Sequence, residues 1–306
     1  MDKIIIIGGP TATGKSGTAV ALAKLIFGEI ISADSMQIYH GMDIGTAKIL
    51  HKEMEGVPHH LIDQISPDQP YNVAIFKAAA KELIGQIISR GATPIICGGT
   101  GFYINALLYD VDFDQKADPN PEYRKKLQMM NADQLFTILE QHDPCSAQVL
   151  DKNNIKRVMR ALEFYHVTGQ RISDHNQNQR SRPSAYDAHI FILNNHRDRL
   201  YSRINKRVDD MVEKGLVEEV RFLLDRYDPA LVSMQGLGYK EIVPYLQGET
   251  DLEAAVNAIK QGTRRFAKRQ ITWFKHQLPS AIWLDVDNYQ NFGHIAEEIK
   301  KRIEKC

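Results

Sequence analysis

Lys3-Ile4-Ile5-Ile6-Ile7-Gly8-Gly9-Pro10-Thr11-Ala12-Thr13-Gly14-Lys15-Ser16 is the stretch on which the fold turns. The four isoleucines make a short β-branched run that is apolar on both faces, as a strand in the middle of a parallel sheet must be. Gly9-x-x-x-x-Gly14-Lys15-Ser16 follows at once and matches the P-loop pattern in full. Residues 17–27 then place Ala19, Leu22, Ala23 and Ile26 on one helical stripe. In a strand–loop–helix setting the glycines let backbone N–H groups turn inward around a phosphate, and the helix adds its positive end. Lys15 supplies a mobile cation and the Ser16 hydroxyl is placed to ligate Mg²⁺. Gly9, Pro10, Thr11, Ala12, Thr13, Gly14, Lys15 and Ser16 are therefore read as a diphosphate cradle. A glycine-rich turn with a surface lysine is the plainer alternative, and it does not call for this flanking context.

Working outward, residues 29–33 form a second short strand that ends at Asp34-Ser35. Residues 72–90 have helical spacing. Residues 93–97 are a third buried strand, ending in Gly98-Gly99-Thr100-Gly101. Strands alternating with helices imply a parallel sheet covered by helices. The pattern changes near residue 110. Residues 112–121 are polar and contain proline, and residues 121–169 are helical throughout, in at least three pieces. Residues 173–186 have almost no apolar content and are expected to form a mobile loop. Strand character returns at 189–193 and 282–284, helices are expected over 197–227 and 252–278, and a last helix ends in Lys300-Lys301-Arg302. The expected fold class is α/β: a P-loop core with a parallel sheet flanked by helices (1–111 and 187–306), plus a mostly helical insertion domain (112–186).

Composition narrows the options. The chain has 306 residues, 43% hydrophobic and 25% charged, which excludes a disordered chain. The 38 basic and 38 acidic side chains cancel, so only local clusters can indicate a polyanionic partner. Two such clusters exist. Residues 151–207 hold twelve Lys and Arg against five Asp and Glu, and residues 264–275 hold five basic residues and no acidic one. A phosphate-binding stripe is the functional reading, and a solvated face the plain one. Cys97, Cys145 and Cys306 are odd in number and far apart, which excludes a disulfide framework and a Cys-x-x-Cys zinc knuckle. No apolar run approaches the ~20 residues of a membrane span, nor the core of a signal peptide, so a cytoplasmic location without membrane contact is expected.

What chemistry follows the cradle depends on a carboxylate. A P-loop nucleotide hydrolase usually carries an aspartate that helps to hold Mg²⁺. Here the third strand ends without one, and the carboxylate stands at the end of the second, at Asp34. Strand C-termini of a parallel sheet share one edge, so Asp34 and Thr100 should converge beside the phosphates. From position alone Asp34 is a general base, a Mg²⁺ ligand or a helix cap. Arg203 and Arg207 share a helix face at i,i+4 spacing. His59-His60 lacks a third ligand and reads as a polar loop. Trp273, Phe274 and Cys97 read as core.

Gly9 to Ser16 and Asp34-Ser35-Met36-Gln37-Ile38-Tyr39 resemble the tRNA dimethylallyltransferases, also called tRNA isopentenyltransferases. Residues 41–48 (GMDIGTAK), 98–103 (GGTGFY), 160–163 (RALE) and 267–274 (AKRQITWF) agree as well, in order and across nearly the whole chain. The pattern is similar to the bacterial type, which lacks the zinc finger of eukaryotic relatives. The resemblance implies transfer of a dimethylallyl group from dimethylallyl diphosphate, with Mg²⁺, to N6 of the adenosine immediately 3′ of the anticodon, in tRNAs reading codons that begin with U. It implies that the P-loop holds the donor's diphosphate and not ATP. It assigns catalysis to Asp34 as the acceptor of the amine proton, with Thr100, Lys15 and Arg207, and makes Arg207, with Arg203 beside it, a diphosphate contact. Asp34, Ser35, Met36, Gln37 and Thr100 would touch the flipped adenosine and its neighbours, and Arg124, Arg157 and Arg160 would grip the anticodon stem-loop. No obligatory protein partner is implied.

Three other readings compete: an adenylate isopentenyltransferase acting on free AMP, ADP or ATP; an ATP-binding P-loop small-molecule kinase; and a non-catalytic RNA-binding protein. The basic helical insertion argues against the first. The intact Lys15, Ser16, Asp34 and Thr100 argue against the last.

Overall fold

The computed structural model describes residues 1–113, 120–180 and 182–305, and part of the polar 112–121 stretch lies outside them. The chain forms two compact units, Met1–Leu108 with Ala185–Cys306, and Tyr109–Ser184.

In chain order the first unit opens with β1 (Lys3–Gly8), α1 (Lys15–Ile26), β2 (Gly28–Ser32), β3 (His59–His60), α2 (Val73–Ser89), β4 (Thr93–Gly98) and α3 (Gly101–Leu108). The second unit holds α4 (Pro121–Gln128), α5 (Ala132–His142), α6 (Pro144–Val149), α7 (Ile155–Thr168) and α8 (Ile172–Arg180). The first unit resumes with β5 (Asp187–Asn194), α9 (Arg197–Glu213), α10 (Leu216–Leu224), α11 (Val243–Leu246), α12 (Leu252–Gln277), β6 (Ile282–Asp285) and α13 (Phe292–Glu304).

The six strands are parallel in the order β3-β2-β4-β1-β5-β6. The isoleucine run puts β1 at the centre, where both of its faces are covered. Ile5 and Ile7 pack with Leu22, Ile95, Phe191 and Ile295 beneath α1 and α13. Ile4 and Ile6 point to the other face and are equally buried. Gly8 is paired with Gly98 of β4 and Ile192 of β5, so the loops leaving these strands rise from one edge. That edge, where the chain departs from β1 to either side, is where open α/β sheets bind ligands.

Three expectations are corrected. His59 and His60 are not loop but a short edge strand beside β2, and Glu29 fastens it by accepting from Arg90 and hydrogen-bonding His60 Nε2 at 2.7 Å. Residues 197–227 are not one helix, because Gly215, at φ +100°, breaks them into α9 and α10. Residues 173–186 are not a mobile loop throughout, since α8 covers Ile172–Arg180. Its residues 172–177 are exposed or half-buried. The helix is fixed from outside, by the buried Asp143 carboxylate, which accepts from both N and Oγ of Ser173 and both N and Oγ of Ser146.

The second unit packs around Leu127, Leu135, Leu139, Val158 and Leu162. Asn120 and Asn131 cap α4 and α5 with their side chains. Glu163, 3% exposed, accepts two hydrogen bonds from Arg124, Nε–H at 2.6 Å and Nη2–H at 3.0 Å. Arg124→Ala strands that carboxylate, and it should destabilise this unit by about 3 kcal/mol, the low end for breaking a buried pair because Arg124 is half exposed. Urea unfolding of the full chain, followed by a spectroscopic probe in residues 121–168, reads this directly.

Candidate active site

The loop after β1 is built to expose amides. Gly9 sits at φ +143° with its α-carbon against the backbone of Leu193, so no other residue fits. Gly14, at φ +84°, begins α1 without a side-chain cap, which leaves the first helical N–H groups open to a ligand. Pro10 O accepts from Thr13 Oγ1 at 2.9 Å and from Lys15 Nζ at 2.7 Å, which curls the loop around the ammonium. A buried glutamine then locks the cradle to the loop after β4: Gln270 Oε1 accepts from Thr11 N at 3.0 Å, and its Nε2 donates to Gly99 O at 2.9 Å.

Asp34 and Thr100 stand at the ends of the neighbouring strands β2 and β4. The Ser35 amide donates to Thr100 Oγ1 at 3.3 Å. Asp34 Oδ1 accepts from the amides of Met36, at 2.9 Å, and Gln37, at 3.4 Å. Its Oδ2 has no hydrogen-bond donor among the described residues. Half of the carboxylate therefore serves as a turn cap, and half remains available. Gln37 Nε2 donates to Thr46 O and Ala47 O, which turns its Oε1 the other way. The 43–47 loop is held in turn by Glu219, whose carboxylate accepts from the amides of Asp43, Ile44 and Gly45 and from the Tyr239 hydroxyl.

These groups line one cavity of about 980 Å³, with Lys15, Ser16, Asp34, Thr100 and Arg207 in its wall. Arg207 comes from α9, and its Nη1 lies 3.5 Å from Thr11 Oγ1. Burial pushes the Lys15 ammonium down to about 8 and is reinforced by the nearby Arg207 charge, against the opposing pull of Cys97 and Asp34. Burial also lowers Arg207 and lifts the Cys97 thiol to about 11. The site thus holds two under-solvated cations, an arrangement that favours an incoming anion.

The expected residues separate into groups. Thr11, Ala12, Gly14, Lys15 and Ser16 face the cavity, as do Ser35, Met36 and Gln37. Gly9, Pro10 and Thr13 shape the loop from behind. Arg203 is exposed one turn before Arg207 and does not line the cavity, though its charge helps to lower that of Arg207. Arg124, Arg157 and Arg160 belong to the other unit, where Arg157 and Arg160 are exposed on α7 and Arg124 is committed to Glu163. Phe274 is fully buried, and the Trp273 ring covers Gly101 so closely that a side chain there would collide. Gln270 and Glu219 were not anticipated. Gln270 lies inside the 267–274 segment already noted, whereas Glu219 meets its loop across 174 to 176 residues of chain and leaves no local trace.

Among the described residues of the cavity wall, the Ser16 hydroxyl at the start of α1 fits a divalent ion. The Ser16 hydroxyl faces the cavity and makes no hydrogen bond within the described residues, and no cluster of three or more His, Cys, Asp or Glu side chains exists among them. That sparse, hard-oxygen supply suits Mg²⁺ carried mainly by phosphate oxygens and water.

A P-loop at the switch point of a parallel sheet, facing a carboxylate from the next strand but one, defines an α/β protein of the P-loop class. Within that class the chain belongs to the IPP transferase family, whose model matches residues 37–277. It is similar to the tRNA dimethylallyltransferase of Lachnoclostridium phytofermentans, at 51% identity over 98% of this chain and 97% of that one. The tRNA dimethylallyltransferase of Geobacillus kaustophilus is 47% identical, over 99% of this chain and 96% of its own. Among solved structures, a tRNA Δ(2)-isopentenylpyrophosphate transferase from Staphylococcus epidermidis aligns at 42% identity and TM-score 0.75, over the whole of both chains. A eukaryotic dimethylallyltransferase acting on tRNA aligns at 30% identity and TM-score 0.83, over 94% of this chain and 74% of that one. Among the described residues no helix is long and apolar enough to cross a membrane.

Proposed function

We propose that this protein transfers the dimethylallyl group of dimethylallyl diphosphate to N6 of the adenosine immediately 3′ of the anticodon, in tRNAs reading codons that begin with U. The observation that carries the reading is one cavity shared by the anion cradle and the uncommitted Oδ2 of Asp34.

The exocyclic amine of adenine is a poor nucleophile because its lone pair is delocalised into the ring. It gains reactivity as its proton is drawn off. Asp34 Oδ2 accepts that proton while N6 bonds to the allylic C1, and the C1–O bond breaks toward diphosphate. Thr100 Oγ1, held by the Ser35 amide, orients the amine. Lys15, the open amides of α1 and Arg207 meet the charge that develops on the leaving group. Ser16 would help to hold Mg²⁺, which would supply further charge neutralisation there. The target base has to leave the anticodon-loop stack to reach Asp34, at a cost of a few kcal/mol. The exposed Arg157 and Arg160 of α7 supply phosphate contacts for the stem-loop.

The decisive assay offers labelled dimethylallyl diphosphate and Mg²⁺ with either unmodified tRNA or AMP, and labelled ATP in a parallel reaction. Label is expected in tRNA, and label confined to AMP would overturn the reading. Arg207→Ala should mainly raise the donor KM, and an unchanged donor KM removes Arg207 from the diphosphate site. Donor affinity should also depend on pH. A bound diphosphate raises the Lys15 pKa above its free value of about 8, so affinity is complete below that pH. Above it, affinity falls by up to ~tenfold per pH unit until the bound-state pKa is reached. Calorimetry at pH 8.5 in two buffers of different ionisation enthalpy should register proton uptake on binding.

A further inference from the structure

A P-loop normally meets a nucleotide, and this one lies between two unlike flanks. In the strand order β2-β4-β1-β5-β6, Asp34 and Thr100 follow β2 and β4 on one side of β1, whereas α13 follows β6 on the other. The first residue of α13 is Phe292. Its ring lies against Gly14 and Gly17, and a methyl group on either would collide with it. The ring also forms part of the cavity wall and is 40% exposed. Its position is rigid, because Ile295, Ala296 and Ile299 of α13 pack into the same core as Ala19, Leu22 and Ala23 of α1, and Asn291 caps the helix through the His294 amide.

Nucleotide P-loops cradle the α- and β-phosphates with loop amides while the lysine reaches toward β and γ. The nucleoside therefore departs at the α-phosphate end, past the first turn of the helix after Gly-Lys-Ser. In this protein that turn is Lys15 to Thr18, and the ring of Phe292 stands over it. The reacting carbon has to lie at the opposite end, beside Asp34 and Thr100.

We propose that Phe292 is a specificity-determining residue: its ring closes the nucleoside exit of the P-loop, so the cradle accepts an organic diphosphate only with its organic group directed toward Asp34 and Thr100. The inference rests on the diphosphate-cradle reading above. It makes rejection of nucleotides a matter of a steric block rather than of missing contacts, a common route to discrimination.

The test is calorimetric binding of Mg²⁺–pyrophosphate and of Mg²⁺–ADP to the full chain, as wild type, Phe292→Ala and Phe292→Leu, with a thermal melt to verify folding. Pyrophosphate has no organic group and should bind all three with similar affinity. ADP should bind the wild type poorly and should gain about tenfold or more in Phe292→Ala, as expected when a steric block is removed, with a smaller gain in Phe292→Leu. The leucine variant keeps an apolar anchor on α1, so it carries the test if the alanine variant does not fold. ADP binding equally well to wild type and variants, with pyrophosphate bound throughout, overturns the role of Phe292 and leaves the cradle intact. Pyrophosphate binding to none of the three overturns the cradle itself.

Discussion

Asp34→Asn should lower turnover on tRNA by ~10²–10⁴-fold, the range for removing a positioned base, while tRNA affinity changes only a few-fold. Oδ1 of Asp34 already accepts from Met36 N and Gln37 N, and an asparagine oxygen can take over that cap. The loop therefore keeps its shape. The amide nitrogen then replaces Oδ2, the oxygen left uncommitted by the cap, and it presents hydrogens where the proposed mechanism needs a proton to be received. Single-turnover kinetics at saturating donor measure the chemical step, and filter binding with the same tRNA measures affinity. Equal losses in both would make Asp34 a structural cap and nothing more.

Lys15→Met is expected to cost ~10²–10³-fold in kcat/KM, as removal of a preorganised group that stabilises developing charge does. Methionine keeps the apolar stem and loses the ammonium. Lys15 is enclosed enough to be held at about 8, so its charge is poorly screened and each contact to a leaving diphosphate counts for more than it would in water. The same substitution should flatten the decline in donor affinity above pH 8. Retention of that decline would assign it to another group, since the buried Cys97 thiol stands higher, at about 11. A loss of activity with the pH dependence intact would therefore separate the lysine from the linkage argued for it.

How much of this was legible in the chain differs by element. The central strand and its loop were readable because four isoleucines and a glycine-lysine-serine turn state their requirements within fourteen consecutive positions, 3–16. Asp34 and Thr100 were readable because parallel topology sends strand ends to one edge. Helix α8 was not, because its stability lies in Asp143, thirty positions upstream of Ser173. The break at Gly215 went unread because helical periodicity continues on both sides of it. The resemblance made Arg124 a stem-loop contact, yet it spends its guanidinium on a buried glutamate that no spacing rule connects to it.

The amino-acid order by itself determined that a P-loop would follow the first strand of this chain and that a carboxylate would end a neighbouring strand, since both follow from backbone conformation and strand direction. Which carboxylate oxygen stays uncommitted, how Glu219 steadies the facing loop and where the Phe292 ring meets Gly14 and Gly17 were decided only in the tertiary structure. Each of those depends on side chains brought together from distant segments by the packing of helices on the sheet, and close packing, unlike periodicity, has no local signature.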